Sequence, residues 1–198
     1  MGAQPQGRNR VRRAIVELLR TAIQVLVLFL VLSAVIGRFE IHQVSMEPNF
    51  HEGQRVIVSK LDGIWSSLFL RTAQAAQAHT QSPFAPQRGQ VVVFNPPNGE
   101  GDALIKRVIG APGDLIELRD EGVWVNGQLL DEPYVNGQAT LCNNACAPIQ
   151  LDANSYFLMG DNRSSSLDSR SFGPVRADRI IGRVVMRYWP LDQLEIYR

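Results

Sequence analysis

The sequence predicts a mostly β, antiparallel domain with a small inserted β subdomain, preceded by one N-terminal transmembrane helix. Three observations carry this. After residue 38 the chain is a series of short apolar runs rich in Val, Ile, Phe and Tyr, broken by Gly, Pro, Asn and Asp, as half-buried pleated surfaces favour. That part shows no helical period of useful length and no internal repeat. Ahead of it lies one uncharged stretch, TAIQVLVLFLVLSAVIG at 21–37. Once that stretch is set aside, a chain of 198 residues leaves enough for one domain of ordinary size with a small subdomain.

The elements follow in order. Pro, Gly and Gln at the start read as a short disordered tail. Arg8, Arg10, Arg12, Arg13 and Arg20 crowd this end, with Glu17 as its one acid. The uncharged core is at the short end for a membrane span. Extension back to Ala14 adds Ile15, Val16, Leu18 and Leu19 and puts Glu17 and Arg20 at an interface, where arginine snorkels. The arginine cluster orients the segment with its amino terminus in the cytoplasm. The expected layout is a cytoplasmic basic tail at 1–13, a single-pass anchor in the cytoplasmic membrane at 14–37, and an extracytoplasmic domain at 38–198. The alternative is a cleavable secretory signal, with a weak small-residue site at Val35-Ile36-Gly37; it would leave the domain without its anchor.

Strands are expected at 39–44, 55–59, 90–94, 103–109, 115–118, 123–125, 156–159 and 182–188. Asn126-Gly127 between apolar runs marks a hairpin, because both residues accept the positive φ of a type I′ turn. The inserted subdomain is placed at about 116–155. Residues 64–88 begin with Ile64, Trp65, Leu68, Phe69 and Leu70, then turn Ala/Gln-rich; they read either as a segment dipping into the lipid interface or as a loop packed on the domain's own core. Cys142 and Cys146 are the only cysteines. Two thiols make a poor zinc site, and no histidine stands at finger spacing. Outside the cytoplasm a local disulfide is the favoured reading, with two free thiols as the alternative. No metal and no cofactor are implied, and a net charge of +1 gives no support for a nucleic-acid partner.

The chemistry lies in Ser45-Met46-Glu47-Pro48, just after the apolar segment, and in Lys106, inside the apolar run 104–109. A serine hydroxyl needs a neighbouring base before it becomes a nucleophile. Lysine serves only when neutral, and burial among apolar side chains lowers its pKa. Alternation in a strand puts Lys106 on one face between Leu104 and Val108, with Ile105, Arg107 and Ile109 on the other. Taken alone, Lys106 also reads as a lysine snorkelling from an edge strand. A histidine base must be considered too, since His42 and His51 are near Ser45 in sequence, but His42 points away if the strand continues past it.

Four blocks in order (Ser45-Met46-Glu47-Pro48, then 53–60, 104–114 and 160–170) resemble the type I signal peptidases, over about residues 40 to 186. The resemblance implies a Ser45–Lys106 dyad that cleaves signal peptides from exported preproteins at a lipid bilayer. It implies that Ser166 hydrogen-bonds and orients the lysine, that Asp168 and Arg170 form a supporting ion pair, and that Asp161 and Asn162 start the same supporting loop. The backbone N–H of Ser45 is a candidate oxyanion donor, and Gln43 stands where some relatives carry a hydroxyl donor. By correspondence, Phe39, Ile41, Met46, Phe50, Leu104 and Ile105 are candidate walls of the substrate pockets; by composition they are also ordinary core residues. Two other readings keep the anchor: a processing peptidase of an organelle inner membrane or thylakoid, and a non-catalytic tethered β domain that binds exported proteins.

Overall fold

Val91, Val92, Val93 and Phe94 are all buried, which requires a strand covered on both faces. In the computed structural model they form strand β3 (Val91–Phe94), central in a large sheet. The structure describes residues 6–60, 85–97, 99 and 101–197. The segment 64–88 therefore falls mostly outside the described residues.

Helix α1 runs Gln6–Val35. It starts earlier than the sequence reading placed it and takes in the arginine-rich segment, because no Gly or Pro interrupts 8–35 and arginine is a good helix former. It ends two residues before Gly37, since Ile36 and Gly37 open strand β1 (Ile36–Glu40). Its large apolar side chains from Ile15 to Leu30 are each more than half exposed. Among the described residues no helix is long and apolar enough to cross a membrane; the side chains of Val31, Leu32 and Ala34, inside the uncharged run, are outside the description. Residues up to Ile36 and those from Gly37 onward form two compact units.

The larger unit holds β2 (Arg55–Ser59), β3, β4 (Leu104–Gly110), β5 (Leu115–Arg119), β6 (Gly122–Val125), β7 (Gln128–Leu129) and β8 (Ile149–Gln150). They are followed by β9 (Ser155–Met159), β10 (Val175–Arg176), β11 (Ile180–Trp189) and β12 (Glu195–Ile196). Among the described residues the main sheet runs β1-β2-β11-β3-β4-β9-β10, with β12 paired to β11. Its pairs β2–β11, β3–β11, β3–β4, β4–β9 and β9–β10 are antiparallel. A second sheet, β7-β6-β5-β8, fills the interval between β4 and β9. β4 and β9 pair directly, so the chain between them leaves and returns to one sheet. The Asn126-Gly127 turn has φ of 53° and 77° and joins Val125 to Gln128 in register.

Three buried clusters hold the fold. Ile41, Met46, Phe50, Val56, Val58, Val91, Val93, Ile105 and Val184 form the first. Val92, Phe94, Val108, Tyr156 and Leu158 anchor the second. Ile109, Phe157 and Met159 join Ile116, Val123, Val125 and Leu151 in the third, which fastens the inserted sheet to β4 and β9.

The strand expected at 39–44 stops at Glu40. Ile41 leaves the sheet edge because its N–H and C=O are taken by Gln54 and Gly53, and Val44–Met46 then form a 3-10 turn. Of the other expected strands, 55–59 matches β2 in its bounds. β7, β8, β10 and β12 are two-residue pairs, too short to leave a period-2 signature.

Candidate active site

Ser45 sits on the 3-10 turn that follows Gln43, and both Ser45 and Met46 are buried. Two bonds from the loop after β9 fix the turn. The Asn162 N–H donates to the Ser45 carbonyl at 3.0 Å, and Asn162 Nδ2 donates to the Val44 carbonyl at 3.2 Å. Gly160 is required here. A Cβ at this position would strike both Ser166 Oγ and the Ser45 carbonyl oxygen, so only glycine lets the loop close on the turn.

Lys106 lies on β4 opposite Val92 and is 1% exposed. Its Nζ donates to Ser45 Oγ at 2.6 Å and to the Ile105 carbonyl at 3.0 Å. Burial pushes its pKa down to about 8; the charges of Asp168 and Asp161 pull it back up, and that of Arg170 pushes it down. The amine is thus close to half neutral only slightly above neutral pH, and a neutral amine can accept the serine proton. If Ser45 and Lys106 act together, the rate should rise with pH through about 8 and level off above it. A profile governed by a group near the ordinary histidine value of about 6.5 would count against this. His42 is exposed and makes no hydrogen bond to Ser45, while the His51 ring lies 3.3 Å from Glu47 Oε1.

Asp168 and Arg170 are 0% and 2% exposed. Arg170 Nε and Nη2 donate to Asp168 Oδ1 and Oδ2 at 2.9 and 2.8 Å. Asp168 also caps α2 (Ser169–Phe172) by accepting from the Arg170 N–H, and accepts from the Gly160 N–H at 3.1 Å. Burial opposes its charge, but the bonds and charge of Arg170 outweigh that and hold its pKa below the usual carboxylate value. One carboxylate therefore ties together the loop that closes on Ser45 and the helix that follows.

Ser166 differs from its implied role. Its Oγ is buried and makes no hydrogen bond to Lys106; its influence falls on Asp168 instead, whose charge it helps to hold. The hydroxyl lies against Gly160, while the lysine is already donating to Ser45 and Ile105. Gln43 is exposed and its side chain makes no capping hydrogen bond to the turn. Of the expected pocket walls, Ile41, Met46, Phe50 and Ile105 are core residues of the first cluster, with Phe39 packed against it, whereas Leu104 packs against the second. Met46 and Phe50 have no accessible surface. Cys142 and Cys146 are joined as a disulfide, in a loop whose Asn144 N–H donates to the Arg170 carbonyl at 3.2 Å.

The sequence reading had no role for Arg107. Its Nε and Nη2 donate to Asp161 Oδ1 and Oδ2 at 2.7 and 2.5 Å, and its guanidinium stacks 4.1 Å from the Tyr134 ring centroid. The signal was available: alternation puts Arg107 on the same face as Ile105 and Ile109, and a charge on an apolar face needs an acid. Arg163 was likewise missed. It is paired to Glu132 and bonded to Thr140 and the Gly160 carbonyl, which fastens the segment between β7 and β8 to the active-site loop.

An antiparallel β domain that buries a serine hydroxyl against a lysine amine has the equipment of a hydrolase. The family model for signal peptidase, peptidase S26, matches residues 14–189, and the chain belongs to that family of peptidases. It is 34% identical to a probable signal peptidase I-2 of Synechocystis sp. over 155 residues, 76% of this chain and 62% of that protein. It is 30% identical to signal peptidase IB of Staphylococcus aureus over 189 residues, covering 88% of each. A crystal structure of a signal peptidase I from Enterococcus faecalis V583 is similar at 32% identity, covering 50% of this chain and 95% of that one, with a TM-score of 0.44.

Proposed function

We propose that the chain is a membrane-anchored serine endopeptidase that removes N-terminal signal peptides from exported preproteins. The observation that carries the mechanism is the 2.6 Å contact between the buried Lys106 Nζ and Ser45 Oγ. Neutral Lys106 takes the hydroxyl proton as Ser45 Oγ attacks the scissile carbonyl, and passes it to the leaving amine as the peptide bond breaks. Water, deprotonated by the same amine, then releases the acyl group and restores the hydroxyl. The Ser45 N–H is the assigned oxyanion donor. Asp161, Asp168 and Arg170 hold the loop that closes on the nucleophile.

The anchoring rests on the uncharged stretch 21–37, on helix Gln6–Val35 and on exposed apolar side chains along it, which water disfavours and lipid accepts. The arginine cluster places the amino terminus in the cytoplasm and the domain from residue 38 on the outer side of the cytoplasmic membrane. Protease added to the outer face of sealed cells should therefore digest the domain and spare the arginine-rich end; a domain protected from outside would reverse this orientation. The activity itself is tested by incubating the full chain in detergent with a preprotein and sequencing the new amino terminus. Cleavage at the signal-peptide boundary by wild type and not by Ser45→Ala is the expected result. Equal cleavage by both would refute the assignment.

A further inference from the structure

The turn that carries Ser45 is held from a second side, by the carboxyl-terminal end of the chain. Arg187, on β11, has a side chain only 13% exposed and uses all three nitrogens on three different partners. Nη1 donates to the Asn49 carbonyl at 2.8 Å, Nε to the Gln193 carbonyl at 2.8 Å, and Nη2 to Glu195 Oε2 at 2.7 Å. Asn49 lies four residues after Ser45, and its own Nδ2 donates to Asp161 Oδ2 at 2.9 Å and to the Tyr134 carbonyl at 2.7 Å. Next to it, Phe50 is fully buried. Its ring meets the Tyr197 ring at 5.1 Å and lies 5.8 Å from the Arg187 guanidinium carbon. The Phe50 N–H bonds the Met46 carbonyl at 2.9 Å, closing the turn that begins at the nucleophile. Gln54 adds a further tie, donating to Gln193 Oε1 at 2.7 Å.

We propose that Arg187 is a positioning residue for Ser45: its guanidinium locks the nucleophile turn, through Asn49, to β11 and the tail 190–197. This rests on Ser45 being the nucleophile. A guanidinium suits the task because its planar fork serves three acceptors at fixed angles, whereas an ammonium presents one compact group. The same side chain reaches the Asp161 carboxylate only through Asn49, so the bracket joins the carboxyl-terminal strand, the nucleophile turn and the loop after β9. A shift of the turn by a fraction of an ångström would misalign Ser45 Oγ with Lys106 Nζ while leaving the surfaces that meet the substrate largely in place.

The test compares wild type, Arg187→Met and Arg187→Lys, each as the full chain in detergent, by two readouts. The methionine keeps an unbranched stem over Phe50 and removes the donors; the lysine keeps the charge without the fork. Hydrogen exchange of the peptide covering 45–50 should quicken about tenfold in both variants, with β3 and β4 unchanged, as expected when one local bracket opens. Signal-peptide cleavage should show kcat lowered about tenfold and KM within about twofold of wild type, the pattern of lost alignment rather than lost binding. Unchanged exchange at 45–50 in either folded variant overturns the inference whatever the activity does. So does full kcat in a variant whose exchange has risen, or full rescue by lysine. A wild type that shows no cleavage defeats the proposed function, while the exchange readout still decides whether Arg187 holds the turn.

Discussion

Lys106→Met should lower signal-peptide cleavage by about 10⁴-fold or more while leaving a folded chain. General base assistance alone is typically worth about 10²–10⁴-fold, and a serine without its base behaves much as if the nucleophile were gone, because the two act as one unit. The loss should not come from unfolding. Burial makes the Lys106 ammonium costly at pH 7, which is why its pKa falls to about 8. An unbranched apolar side chain of similar length removes that cost and leaves no charge without a partner. Lys106→Arg should be as inactive as Lys106→Met, because guanidinium keeps its proton. The measurement is single-turnover cleavage of a preprotein beside the melting temperature of each variant. Cleavage within about tenfold of wild type by a folded Lys106→Met would remove lysine from the mechanism. The pH profile offers an independent check: if the rate limb near about 8 belongs to Lys106, the residual activity of Lys106→Met should lack it.

How much of this could be read beforehand depended on whether a feature was local. The strand 55–59 alternates clearly, and Asn126-Gly127 needs nothing beyond its own backbone preference, so both were legible. The Ser45–Lys106 contact joins residues 61 apart; it was legible only because the two side chains make chemical sense together and sit in blocks that resemble a family. The short pairs β7, β8, β10 and β12 were not legible, since two residues carry no period. The stretch 41–44 was misread as a continuation of the strand because its exit from the sheet depends on bonds from Ile41 to Gln54 and Gly53, which its own apolar pattern does not reveal. Ser166 shows a different limit. A residue's place in a motif predicts its neighbourhood, and here the neighbourhood is right, beside Gly160, while the bond to the lysine is not made. Arg107, Arg163 and Arg187 were passed over because an arginine in isolation reads as surface. Each is instead satisfied by acids or carbonyls that come from other segments.

The largest stability loss is expected from Asp168→Ala. Arg170 is almost wholly buried and has Asp168 as its only acid among the described salt bridges. The Arg170 guanidinium would then keep the Arg163 and Leu141 carbonyls as acceptors but have no counter-charge, and breaking a buried pair from one side typically costs about 3–5 kcal/mol. For a domain of this size that is a fall of roughly 10 °C in melting temperature. The same change removes the cap of α2 and the acceptor for the Gly160 N–H, so the loop closing on Ser45 should loosen and activity should fall with stability. Replacing both partners, as Asp168→Ala with Arg170→Met, should be less damaging than Asp168→Ala alone, since no charge is stranded; that reversal separates an ion-pair effect from simple loss of packing. The pH dependence has a definite sign. Asp168 has a folded pKa below its unfolded value, so its contribution is present above the unfolded carboxylate range and is lost as pH falls through the folded pKa. Wild type should therefore lose its advantage over Asp168→Ala in melting temperature as the solution is made acid. A variant that melts within about 2 °C of wild type at pH 7 would show that the pair is not holding the loop in place.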